Sequence, residues 1–241
     1  MGNRISIWRA ALLLVFVGYC GSAGAQNPQL ETKNGRRFPT VTFSSVAWGA
    51  SPPYYSIAID SGGNATYQSA PQSVERTGAP YDVEFLASAS TRQTVFDKVE
   101  QLKFLKLPTQ NVQHFRGPRS IKTLAFREGN TRNWISYQTG RNPEIRQLTS
   151  LFQNISATME FGRRLAYLHQ HGSPRISEEL KHMQQLAQRG RLPELQAVEP
   201  ALENIASDAK IKPADRKRAG AILVRARNGQ DQVSSQRSIR Q

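Results

Sequence analysis

The sequence has 241 residues, with 32 Lys and Arg against 18 Asp and Glu, and a formal net charge of +14. Its single cysteine, Cys20, lies in an N-terminal segment with the marks of an export signal, so a chain cut after Ala25 has no thiol. That excludes disulfides, zinc–thiolate sites and a cysteine nucleophile, and leaves stability to a packed core.

The signal features are a basic start at Arg4 and Arg9, the apolar run Ala10–Tyr19, and the small-residue cleavage sequence Ala23-Gly24-Ala25. The run is shorter than the roughly 20 residues that a membrane span needs. Two alternatives to cleavage are a lipoprotein acylated at Cys20, against which Tyr19 stands where a small residue is wanted, and a retained N-terminal anchor. Removing 25 residues from 241 leaves 216, enough for one large domain or two small ones. Without Arg4 and Arg9 the balance is 30 basic against 18 acidic residues, or +12, with +5 over 26–140 and +7 over 141–241. A basic exported protein is drawn to polyanions. Nucleic acid is excluded as a partner by the compartment and by the lack of a recognition motif. Anionic lipid headgroups or envelope polymers are the candidates, beside the plainer reading of a solvated basic surface.

Residues 26–39 are polar, with Pro and Gly, and read as a flexible leader. Val41–Val46 alternates as a first strand, and Ala50-Ser51-Pro52-Pro53 interrupts it. The stretch Tyr54–Gln68 predicts a hairpin: Tyr55, Ile57 and Ile59 repeat at period two, and Asp60-Ser61-Gly62-Gly63-Asn64 supplies a turn whose two glycines accept positive φ. After a Ser-, Gly- and Pro-rich loop, Tyr81–Leu86 places Tyr81, Val83 and Phe85 on one face. Ser90-Thr91-Arg92-Gln93 has the form of a capping box, and Val95, Val99 and Leu102 follow at helical spacing, predicting a helix over 91–105 closed by Pro108. A polar loop over 109–118 contains His114. Ser120–Phe126 and Trp134–Tyr137 predict a second hairpin, turning at Arg127–Asn130.

From Asn142 the pattern is helical. Asn142 is the expected N-cap, with Pro143 at the first position. Ile145, Leu148, Phe152, Ile155 and Met159 form a core-facing stripe, Gly162 is a point of bending, and Gly172 a stop. Pro174 opens a helix carrying Ile176, Leu180, Met183 and Ala187. Leu195, Val198, Leu202 and Ile205 indicate another, which Pro200 kinks or splits. Pro213 starts the last, with Ala219, Ile222, Leu223 and Ala226 on one face, and residues 229–241 read as a disordered tail. The expected class is α+β, an antiparallel sheet of hairpins with one packed helix over 40–140, followed by an all-helical region over 141–228.

The order Ala47-Trp48-Gly49-Ala50-Ser51-Pro52-Pro53-Tyr54, followed by a strand, Gly63 and Tyr67, resembles an exported bacterial domain family of unknown function that opens with C-aromatic-G-x-C-P-x-Y. Trp48, Gly49, Pro52, Tyr54 and Gly63 fall in register with that motif, and both cysteines are replaced, by Ala47 and Ser51. The resemblance covers about residues 40–140 and implies export and an α+β fold. It supplies no activity.

Motifs for chemistry are few. His169, His171 and His182 gather near a helix–helix turn, yet without a carboxylate at ligand spacing they read as helix-end histidines. Ser61-Gly62-Gly63-Asn64 leads into a strand, unlike a phosphate loop. Asp82 and Glu84 alternate on an outer strand face as solubilising acids. No cofactor, metal site or catalytic residue is assigned. The last helix carries Arg216, Lys217, Arg218, Arg225 and Arg227, candidates for contact with an anionic surface, although its thin apolar stripe fits packing against the preceding helices better. The function expected is a non-catalytic periplasmic or envelope module that binds a protein or serves a structural role. The alternatives are a polyanion or membrane-surface binder and a hydrolase without a recognisable motif.

Overall fold

The computed structural model describes residues 38–70, 81–102, 120–140 and 142–238, with side chains described to residue 228. The expected signal segment, most of the leader, Pro108 and the loop with His114 lie outside these residues. The class is α+β. Six antiparallel strands, β1 (Thr40–Val46), β2 (Tyr54–Asp60), β3 (Asn64–Ser69), β4 (Tyr81–Leu86), β5 (Ile121–Glu128) and β6 (Thr131–Tyr137), form one sheet in the order β4-β3-β2-β1-β5-β6. The helices are α1 (Ala89–Gln101), α2 (Pro143–Gln170), α3 (Ile176–Gln188), α4 (Glu199–Ser207) and α5 (Pro213–Ser238), with a 3-10 turn at Leu195–Val198.

The alternation seen in the sequence places Val41, Phe43, Ile57, Ile59, Tyr67 and Leu124 on one face of the sheet, all fully buried. The stripe Leu148, Phe152, Ile155 and Met159 of α2 is buried equally and belongs to the same core, with Phe152 stacked on Phe43 at 5.1 Å between ring centroids. One hydrophobic core runs from the strands into α3, α4 and α5 through Leu180, Met183, Leu202, Ile205, Ala219 and Ile222. No helix among the described residues is long and apolar enough to cross a membrane.

Local details depart from the sequence reading at several points. The N-cap of α1 is Ser88, two residues before the expected Ser90; its hydroxyl accepts from the Thr91 amide. In the first hairpin only Gly63 takes a positive φ, of 100°, while the carboxylate of Asp60 accepts from the Asn64 amide at 2.9 Å and from its side chain at 2.8 Å. The second hairpin turns more tightly than expected, because both strands extend until Glu128 pairs with Thr131. Helix α5 continues past residue 228 to Ser238, in a stretch with no proline after Pro213 to stop it.

Helix α2 is unbroken over 28 residues and runs through Gly162. A Cβ there would lie 2.4 Å from Cγ1 and 2.8 Å from Cβ of Val198. The glycine lets the 3-10 turn press directly onto the helix. Thr158, four residues earlier, fastens the same crossing by donating to the Pro193 carbonyl at 2.7 Å. Pro200 falls in the first turn of α4, where its missing N–H costs nothing, and thereby divides the 3-10 turn from the helix.

Candidate functional site

Strand register assembles a site that no local motif announces. Ser45 of β1 pairs with Tyr55 on one side and Lys122 on the other; Tyr55 pairs with Ser69, Ser69 with Tyr81, and Lys122 with Tyr137. One transverse row across all six strands therefore reads Tyr81, Ser69, Tyr55, Ser45, Lys122, Tyr137. These are five hydroxyls and an ammonium on the helix-facing side of the sheet. The next row toward the core is Val83, Tyr67, Ile57, Phe43, Leu124, Ile135.

Helix α2 answers with a second stripe beside its apolar one. Thr149, Gln153, Ser156, Glu160 and Arg163 recur at spacings of three and four, which keeps them on one face. Tyr137 Oη lies 2.6 Å from Thr149 Oγ1, and Thr149 donates to the Ile145 carbonyl. Glu160, only 3 % exposed, is the hub. Its Oε1 accepts from Tyr67 Oη at 2.8 Å and from Ser69 Oγ at 2.9 Å, while Oε2 accepts from Arg163 Nε at 3.1 Å. Ser156 Oγ stands 3.3 Å from Tyr67 Oη, and the Arg163 guanidinium lies over the Tyr81 ring. A buried carboxylate persists when such donors and a cation compensate its lost hydration.

The phenols remain protonated donors. Burial pushes Tyr55 up to about 12 against a hydrogen bond with Ser45, and Tyr137 up to about 12 against one with Thr149. Tyr81 reaches about 12 through burial first and the Glu160 charge second, with Arg163 opposing. Tyr67 is raised by the same two causes. Desolvation lowers Lys122 from its ordinary value.

Beside this network opens a cleft of about 410 Å³. The β1–β2 loop forms one wall with Ala47, Ala50, Ser51 and Pro52; Lys122 and Ser120 form another, and Gln153, Ser156, Ala157, Glu160 and Arg164 of α2 a third. Trp48, 61 % exposed, projects from the loop, and exposed Tyr54 begins the next strand. Gly49 at φ 78° and a bond from the Ala47 amide to the Pro53 carbonyl shape the loop. Arg164 is held by Glu179 at 2.7 Å.

A larger groove of about 730 Å³ runs between the start of α1, residues 190–197 and α5. Its acid, Glu194, is buried at φ 60° and occupied structurally: it accepts from the Ser88 amide at 2.9 Å and the Ser88 hydroxyl at 2.7 Å. This completes a capping box whose two halves are 106 residues apart. The smaller cleft is the better candidate, because its polar groups face a ligand space and the loop that walls it carries the exposed Trp48.

The basic residues of α5 do not gather. Arg218 bonds Asp215 at 2.8 Å and Gln184 at 3.2 Å, and Arg227 pairs with Glu203 at 2.6 Å. At 100° per residue, Arg216 and Arg227 fall on one flank of the buried stripe, Arg218 and Arg225 on the other, and Lys217 on the back. The histidines also part company. His169 bonds Asp208 at 2.9 Å, His171 bonds the Tyr167 carbonyl and meets its ring, and His182 meets Phe161 edge-on. Among the described residues no three His, Cys, Asp or Glu are grouped to hold a metal. Asp82 and Glu84 are exposed on β4. Sequence reasoning missed Lys122, Tyr55, Glu160 and Ser45. A polar stripe on α2 running beside the apolar one was the available signal.

No family model and no curated protein sequence matches the chain.

Proposed function

We propose that this is a non-catalytic binding module of the cell envelope, and that it meets a partner protein at the cleft between the β1–β2 loop, β5 and α2. The observation that carries this reading is Trp48, a large aromatic standing 61 % exposed on the loop that walls a polar cleft. Aromatic side chains beside a partly desolvated pocket are the usual anchors of protein interfaces. The groups that would serve catalysis are otherwise engaged: both Glu160 oxygens accept protein hydrogen bonds and the phenols stay protonated. This favours binding over hydrolysis. The internal ion pairs of Arg218 and Arg227 favour it over attachment to a polyanion through α5. The N-terminal Ala23-Gly24-Ala25 sequence supports export.

The test is photo-crosslinking in the native envelope, with a photoreactive residue at position 48 or, as a control, at exposed position 217. A reproducible adduct of one mass from position 48 and none from 217 is expected. Adducts from neither position, or equal adducts from both, would sink the reading.

A further inference from the structure

We infer that the cleft receives a carboxylate of its partner, with Lys122 as the cation that binds it; this rests on the reading that the cleft is the binding site. Lys122 Nζ donates to Ser120 Oγ at 3.1 Å and to the Gln138 carbonyl at 2.9 Å, both neutral acceptors. An ammonium has three donors, so its two bonds to described residues leave one. Among the described residues no carboxylate lies within ion-pair distance of Lys122. Glu160 lines the same cleft, but its oxygens are bonded to Tyr67, Ser69 and Arg163.

A partly buried ammonium with neutral partners carries a desolvation cost that an incoming anion relieves, and the lowered protonation equilibrium of Lys122 is the mark of that cost. Arg164, at the opposite wall, is already paired with Glu179, which leaves Lys122 as the cation for the ligand. Ser45, Ser156 and Gln153 supply neutral hydrogen-bonding groups, and Ala47, Ala50, Pro52 and Ala157 supply apolar wall. The volume of about 410 Å³ lies at the small end of ligand sites. It suits one acidic residue rather than a polymer. The carboxylate is either a chain terminus or an acidic side chain.

The labelled full chain is titrated with N-acetylalanine, with N-acetylaspartic acid α-amide, with neutral N-acetylalaninamide and with inorganic phosphate, following the amide resonances of Ser45, Ala47, Ser51 and Ser156. One or both acids are expected to shift these resonances saturably, with the neutral amide inert. The first acid reports a chain terminus and the second a side chain. Lys122→Gln is expected to weaken the response roughly tenfold or more, as loss of a charge-assisted bond does, and Lys122→Arg to retain it. If Lys122→Gln does not fold, the acid-versus-amide contrast and Lys122→Arg decide alone. A neutral amide that binds as well as its acid would overturn the inference while leaving the cleft a binding site. Phosphate binding more tightly than either acid would overturn it in favour of a phosphate site. No shift with any probe would overturn it too, and the crosslink from position 48 then judges the binding module separately.

Discussion

Two adjacent rows of the same sheet face make the clearest contrast in this protein. Val83, Tyr67, Ile57, Phe43, Leu124 and Ile135 belong to the same core as the apolar stripe of α2, whereas Tyr81, Ser69, Tyr55, Ser45, Lys122 and Tyr137 lie only two residues further along each strand. That step is about 7 Å. Over that distance the sheet–helix interface changes from dry packing to a hydrogen-bonded network bordering a cleft. Tyr67 joins the two, with its ring in the apolar row and its hydroxyl on Glu160. A core and a site can thus share strands and a helix, provided that register keeps their side chains in separate rows.

The largest expected effect comes from breaking the hub of the polar row. Glu160→Ala leaves Arg163, Tyr67 and Ser69 without their shared acceptor, and should cost about 3–5 kcal/mol in denaturant unfolding, as for other buried pairs that lose one member. Phe152→Ala in the apolar row should cost a similar amount through a cavity but leave the Lys122 environment unmoved; equal disturbance of the cleft by both variants would mean that the rows are not separate.

The next effect lies at the helix crossing behind the rows. Gly162→Ala should destabilise by about 1–3 kcal/mol despite alanine's better helix propensity, because the new methyl meets Val198. Introduced into Val198→Ala, the same change should cost less, and thermal unfolding of the four proteins in the cycle measures the difference. An unchanged cost would show that Val198 is not the obstacle.

Glu194→Ala removes the distant half of the α1 cap and should cost roughly 1–2 kcal/mol, with the loss of amide-exchange protection concentrated in the first turn of α1. Protection lost evenly over the sheet would contradict a local capping role.

The smallest effect is at the surface, far from both rows. The Lys210 amide and, secondarily, His169 hold the Asp208 carboxyl below its ordinary 3.8. Because its folded value is the lower one, the stabilisation is present above pH 3.8 and disappears as pH falls through the folded value. Denaturant midpoints of Asp208→Asn and the parent chain, measured at pH 5 and near pH 3, should differ more at the first than at the second. A constant difference would show that Asp208 ionisation is not involved.

Much of the fold was legible because its signals are local. Period-two alternation located β1 to β4, and the stripe Leu148, Phe152, Ile155 and Met159 located α2 with its Asn142 cap and Pro143 start. Errors arose where a local signal had a distant competitor. The box at Ser90–Gln93 was a plausible start for α1, yet Ser88 won because Glu194 reaches its amide from another element. Gly162 looked like a weakness in a helix because Val198, which needs the space, is 36 residues away in the chain. The cleft is hidden in the sequence for the same reason, since Lys122 and Tyr55 belong to separate hairpins.

The amino-acid pattern by itself determined the strands, the helices, which face of each is apolar, and the lack of a thiol after Ala25. Those follow from backbone geometry and from the transfer of apolar surface out of water, which act over a few residues. Tertiary structure alone decided that six polar side chains from six strands form one row, that Glu160 satisfies three of its neighbours, and that Lys122 bonds only neutral groups among the described residues. Hydrogen bonds and charge compensation depend on distances of about 3 Å between residues remote in sequence. Only strand register and helix packing set those distances.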